Sequence, residues 1–171
     1  EGQTYNNLAT IYAQQERWDE ATDYYERALS LKREMGDRHL TASTLNNLGN
    51  VFKCQGFWAK AVDCFEEALA VSRNTGNRVS EANALGNLAN AHEKQGLWRE
   101  AIPFYEEALT LKRAVGDPHS EGITHMNLGD LYAAHLMPTK AKQSYAQALA
   151  KLHPASPEAA DLNARLPKKL R

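Results

Sequence analysis

Between Thr41 and Gln55 the apolar residues Leu45, Leu48, Val51 and Phe52 recur at helical steps. That spacing lines one face of an α-helix. Gly56 follows, and a glycine in the left-handed conformation commonly ends a helix. From Trp58 to Asn74 a second face appears, built from Ala61, Val62, Phe65, Ala68, Leu69 and Val71. Gly76-Asn77 closes it. The pattern predicts a helical hairpin. Its small alanines at 61 and 68 allow close approach, and Phe65 between them fills the neighbouring groove.

The same hairpin returns along the whole chain at an offset of 40 residues, without insertion or deletion. Asn7-Leu8, Asn47-Leu48, Asn87-Leu88 and Asn127-Leu128 align. So do Trp18, Trp58, Trp98 and Pro138, and the aromatic column Tyr25, Phe65, Tyr105 and Tyr145. Such a period signals stacked units that bury their faces against each other. The divisions are residues 1–40, 41–80, 81–120 and 121–153 for four repeats, and 154–171 for an end segment. In that segment Ser156-Pro157-Glu158 reads as a helix start, with Pro at the first helical position. Ala159 to Leu166 then make a short capping helix, which Pro167 ends. The fold class is all-α: a right-handed solenoid of four helix pairs plus this cap. Two turns depart from the pattern. Glu16 and Leu136 stand where Gly56 and Gly96 occur. A left-handed conformation at Glu16 would cost on the order of 1 kcal/mol, so a different turn is expected in the first repeat; in the fourth, Pro138 at the first helical position is tolerated.

Composition narrows the function classes. The chain has 171 residues, a net charge of −1 and 24% charged residues. Nucleic-acid and anionic-membrane binding need a net basic surface, so neither is expected. The basic tail Arg165, Lys168, Lys169 and Arg171 reads as a solvated end. No apolar run approaches a membrane span. The opening Glu1-Gly2-Gln3-Thr4-Tyr5 lacks a starting Met, is no signal peptide, and leads straight into the first repeat. An excised piece of a longer, cytoplasmic protein is expected. Cys54 and Cys64 flank a turn about two helical turns out of step. That is too far for a disulfide, so both read as free thiols in a reducing compartment.

The motif Leu45-x2-Leu48-Gly49-x2-Phe52, with Ala61-x3-Phe65 and Ala68 in register, resembles the tetratricopeptide repeat pattern. The first Trp of that pattern is replaced by Tyr5, Leu45, Leu85 and His125, and its closing Pro is absent. The second helices therefore run on, giving a 40-residue unit in place of the usual 34. The chain is similar to the long repeats of kinesin light chains, Pins-type polarity adaptors and bacterial regulators. The resemblance implies a protein-interaction module whose first helices line a concave surface.

No P-loop, nucleophile elbow or zinc-protease motif occurs, and the six histidines are scattered. No catalytic residue, metal site or cofactor is expected. His92 stands in the aromatic column Tyr12, Phe52, Tyr132 and reads as packing. Trp18, Trp58 and Trp98 read as core in preference to a ligand cage. Glu66-Glu67 and Glu106-Glu107 read as solvated outer faces.

Two columns are left for binding. Asn7, Asn47, Asn87 and Asn127, with Asn50, Asn90 and Asp130 three residues on, share one face of the first helices. Asn favours helix less than Ala, yet its amide pairs with a peptide group. One rung per repeat, about 8–10 Å, matches about three residues of extended ligand. The competing role is to bond the neighbouring helix and fix repeat spacing. Arg33, Arg73 and Arg113 form the second column, in the last turn of each second helix. They grip ligand carboxylates or complement the helix dipole. The expected function is to bind an extended or partly helical, acidic peptide of a protein partner. The alternative is a structural spacer or self-association arm, with a homodimer through an exposed end of the stack.

Overall fold

The computed structural model describes residues 1–166; Pro167 and the tail basics Lys168, Lys169 and Arg171 lie outside the described residues. The described chain is helical, in four hairpins and a cap. These are α1 (Gly2–Gln14) with α2 (Trp18–Glu34), α3 (Arg38–Cys54) with α4 (Trp58–Thr75), α5 (Arg78–Lys94) with α6 (Trp98–Val115), and α7 (Pro118–Ala134) with α8 (Pro138–Lys151). The last helix, α9, spans Pro157–Arg165.

Each boundary has a local cause. Asp37, Asn77 and Asp117 cap α3, α5 and α7 by accepting from the backbone N–H of Leu40, Ser80 and Ser120 at 3.1, 3.1 and 3.0 Å. Such caps contribute about 1 kcal/mol each. Ser156 caps α9 in the same way, accepting from Ala159 N–H at 3.1 Å. Within each hairpin the residue after the turn donates back to the aromatic column: Arg17, Phe57, Leu97 and Met137 bond the carbonyls of Tyr12, Phe52, His92 and Tyr132, each at 2.9 Å. This closure needs a left-handed residue. Gly56 and Gly96 supply it at φ 79° and 82°, and Glu16 and Leu136 adopt it too, both at φ 57°. The turn geometry is therefore the same in all four repeats, contrary to the expectation of a different turn. The repeated backbone bond outweighs the local cost of the side chain.

The hairpins stack in order, α2 on α3, α4 on α5 and α6 on α7. The odd-numbered helices also touch each other in series, α1 to α3 to α5 to α7. The even-numbered helices do not pack in that way, so they spread apart. A stack closer on one side than on the other curves, and its concave wall is the odd-helix layer. The columns read from the sequence form the interior: Leu45, Leu85, Leu88, Phe65 and Tyr105 are all at most 2% exposed. Gly49 and Gly129 let Phe65 and Tyr145 press against the first helices; a Cβ there would approach the rings to 2.4 and 2.6 Å. Ala159, Leu162 and Leu166 bury themselves in the same cluster as Leu128 and Leu131, so α9 covers the last repeat. Trp18, Trp58 and Trp98 are half-buried and pack against the core edge, with Trp98 stacked on His135 at 4.3 Å. His92 stacks on Phe104 at 5.3 Å. Both cysteines are free, and burial first, with nearby Glu67 and Asp63, pushes the Cys64 thiol up to about 11.

Candidate ligand-binding groove

Helical periodicity directs one residue per turn of α3, α5 and α7 towards the concave wall. Asn47, Asn50, Asn87, Asn90 and Asn127 meet there in one cavity of about 290 Å³. None of the five makes a side-chain hydrogen bond to another described residue. Bonding to the neighbouring helix is done one position earlier. Asn46 donates to the carbonyls of Ala42 and Ser80, at 3.3 and 3.5 Å.

A second concavity of about 250 Å³ shares Asn47 and Asn50 with the first. Its other walls are mainly apolar, from Ala13, Trp18, Tyr25, Val51 and Cys54. The two adjoin at Asn47 and Asn50, one mainly apolar beside the first repeat and the other amide-lined towards the fourth.

The remaining sequence-predicted residues lie differently. Asn7 is exposed, accepts from Gln3 at 3.1 Å, and lines neither cavity. Asp130 accepts from Tyr145 Oη at 2.7 Å and pairs with Arg165 at 3.2 Å, so the cap engages it. Burial first, then the bond to Asp130, pushes the Tyr145 phenol up. The arginines are drawn to the outer layer. Arg33 pairs with Glu67 at 2.5 Å, and Arg73 with Glu107 at 2.6 Å and Glu81 at 3.1 Å. Arg113 pairs with Glu121 at 3.0 Å. None of the three lines the asparagine cavity. Each stands at the end of an even helix, within reach of acids on the next repeat. Glu67 and Glu107, read as merely solvated, are partners in this series.

Two buried lysines escaped the sequence reading. Lys32 and Lys112 are 3% and 8% exposed. Lys32 donates to Thr44 Oγ1 at 2.5 Å, and Lys112 to Thr124 Oγ1 at 2.6 Å. Burial pushes both ammonium groups down, against the opposing charges of Asp37 and Asp117. Lys112 also lines the asparagine cavity, beside Asn83 and Gly86. The available signal was the matched pair at spacing 12, Lys32–Thr44 and Lys112–Thr124, replaced together by Ser72 and Ala84 between them.

Another polar cluster lies under α8. Glu121, 2% exposed, holds Arg113 and Lys151 at 3.0 Å each, and His125 Nε2 lies 3.9 Å away. Burial alone would push the Glu121 carboxyl up, but the bonds from Lys151 and Arg113 outweigh it and hold it below its ordinary value. Burial pushes His125 down, against the charge of Glu121. Among the described residues no group of three or more His, Cys, Asp or Glu side chains could hold a metal ion. No described helix is long and apolar enough to cross a membrane.

The crystal structure of BtubC (BKLC) from P. vanneervenii superimposes with a TM-score of 0.83 over 95% of this chain and 67% of that one, at 24% identity. At that identity the likeness concerns the fold. No curated protein sequence matches the chain. The tetratricopeptide repeat profile matches residues 1–74 and 80–152, a class of repeat that generally mediates contacts between proteins. With four hairpins in register and a profile match across nearly all of them, the chain belongs to the tetratricopeptide repeat family.

Proposed function

We propose that the chain holds an extended or partly helical segment of a protein partner along its concave wall. Asn47, Asn87 and Asn127, with Asn50 and Asn90, pair with main-chain amides of that segment. The observation that supports this is the set of asparagine amides gathered from three helices into one cavity, all five of them without a side-chain hydrogen bond to another described residue. Leaving such groups unpaired on a concave wall stabilises nothing, whereas a peptide backbone satisfies both their donors and their acceptors. The apolar concavity at Trp18, Tyr25 and Val51 adds a place for one apolar side chain of the same segment. Asn7 and Asp130 have a lesser share, Asn7 lying outside the cavity and Asp130 being bonded to the cap. The arginine row offers carboxylate contacts only in exchange with its glutamates.

A peptide-display selection on the described chain, followed by affinity and melting measurements on Asn87→Ala, tests this reading. The variant should weaken the selected peptide by about 1–3 kcal/mol and leave the melting temperature unchanged. Intact affinity in Asn87→Ala and Asn127→Ala would remove the asparagines from the site. A selection that returns no peptide, with self-association in sedimentation, would favour the spacer reading instead.

A further inference from the structure

In the first and third repeats a ring of the second helix covers a ring of the first. Tyr24 stacks on Tyr12 at 5.3 Å and stands 5.9 Å from Tyr5. Phe104 stacks on His92 at 5.3 Å, with the planes 1° apart. The covering column is Tyr24, Cys64, Phe104 and Ser144. It rests on two columns of the odd helices: Tyr5, Leu45, Leu85 and His125, and Tyr12, Phe52, His92 and Tyr132.

The fourth repeat keeps rings in both lower columns, His125 and Tyr132, and replaces the covering ring with Ser144. A cavity of about 330 Å³ opens there between α6 and α8, lined by His125, Leu128, Tyr132 and Ser144. It shares no residue with the asparagine cavity. A small residue in the covering column does not by itself open such a gap. In the second repeat Cys64 packs against the core, and the concavity of about 320 Å³ at Phe52 reaches neither Cys64 nor Leu45.

The floor suits a ring. His125 is 9% exposed, and both its ring nitrogens are buried without a hydrogen-bond partner among the described residues. Glu121 Oε1, 3.9 Å from Nε2, is beyond hydrogen-bond reach. An imidazole that makes no hydrogen bond offers its ring for packing, as His92 does to Phe104 and His135 does to Trp98 at 4.3 Å. The space is sufficient, since a cavity of about 150 Å³ already admits benzene. Lys140 Nζ lies over the Tyr132 ring at 5.3 Å. Its side chain is exposed, and a contact of that kind is weak, so the lysine yields to an incoming ring. Exposed Gln143 and Gln147 stand at the rim. An apolar floor with a polar rim is the anatomy of a protein contact, in which an aromatic side chain seated in a pocket is the usual anchor.

We propose that this cavity takes one tyrosine or phenylalanine side chain of a partner protein. Its ring lies against Tyr132 and His125 as Tyr24 lies against Tyr12 and Tyr5, and Gln143 and Gln147 bond the main chain beside it. The site is separate from the asparagine cavity and does not depend on what binds there.

The test is titration of the whole chain with N-acetyl-tyrosinamide, N-acetyl-leucinamide and p-cresol, read by NMR on the ring signals of His125 and Tyr132. The tyrosine amide should shift both sets, with a Kd on the order of millimolar. The leucine amide should bind about fivefold more weakly, lacking the ring. p-Cresol has the ring without the main-chain amides and should also bind more weakly than the tyrosine amide. Ser144→Phe and Ser144→Tyr place the rings of Phe104 and Tyr24 in the gap, and should abolish the response and raise the melting temperature. Equal binding of the leucine amide would overturn the ring site. p-Cresol binding as tightly as the tyrosine amide would overturn a protein side chain as the source of the ring. No shift at about ten times the expected Kd would overturn both. A response that persists in folded Ser144→Phe or Ser144→Tyr would put the ring elsewhere and overturn the site too. If neither variant folds, the wild-type titrations decide alone.

Discussion

Gly49 and Phe65 are locked together: a Cβ on Gly49 would lie 2.4 Å from Phe65 Cε1, inside any permitted contact. Gly86, on α5, has no such neighbour. Opposite outcomes are expected from the same substitution. Gly49→Ala should lower stability by about 1–3 kcal/mol through overpacking, and Gly86→Ala should raise it by about 0.5–1 kcal/mol. Urea midpoints measure both, and equal shifts in one direction would contradict this packing.

Leu136 carries a left-handed backbone, φ 57°, with its side chain 88% exposed. The side chain contributes almost no burial, while the backbone bears a steric cost of about 1–2 kcal/mol. Leu136→Gly should therefore raise the melting temperature, the gain being reduced by the added freedom of the unfolded chain. A fall in melting temperature would mean that the Leu136 side chain stabilises the fold by more than its exposure allows.

Leu88 and Phe65 are 1% and 0% exposed, so truncating either to Ala should cost about 2–5 kcal/mol. Glu66→Ala, on the exposed face of α4, should change stability by less than about 0.5 kcal/mol. Chemical denaturation of the three variants checks the assignment of faces, and similar losses in all three would refute it.

The Arg33–Glu67 pair links α2 to α4 with side chains 54% and 45% exposed. Exposed pairs contribute about 0–1 kcal/mol and are screened by salt. A double-mutant cycle with Arg33→Ala and Glu67→Ala should give a coupling in that range, decreasing from low to high salt. A coupling that is larger and indifferent to salt would show that the pair is effectively buried.

Acid should weaken the fourth repeat in two stages. His125 has its folded pKa pushed below its ordinary 6.5 by burial, so on acidification the unfolded chain takes up the proton first. Its contribution is present above about pH 6.5 and is lost as pH falls towards the depressed value. Glu121 is also held below its ordinary 4.5. Its contribution is present above that value and disappears as pH falls through the folded one. His125→Leu, the residue found at Leu45 and Leu85 in the same column, should remove the first stage while Arg113, Lys151 and Glu121 preserve the second. Identical melting profiles for wild type and variant between about pH 7 and 5 would rule out His125 as the cause.

The period, the hairpin boundaries and the buried columns were legible in the residues. These depend on interactions within about four residues, or on an apolar face that any stacked partner covers. The family was legible for the same reason. Gathering the asparagines of three helices on one wall followed from their shared helical phase. The fate of the other polar residues did not. Arg33 meets Glu67, Arg73 meets Glu107, and Arg165 reaches back to Asp130. Those partners are 34 or 35 positions away and lie on different helices. Helical phase sets the direction of a side chain about its own axis only. Which residue it meets is decided by the rotation and spacing between successive hairpins, set where α2 packs on α3, α4 on α5 and α6 on α7. The same stacking brings Lys32 to Thr44 and Lys112 to Thr124.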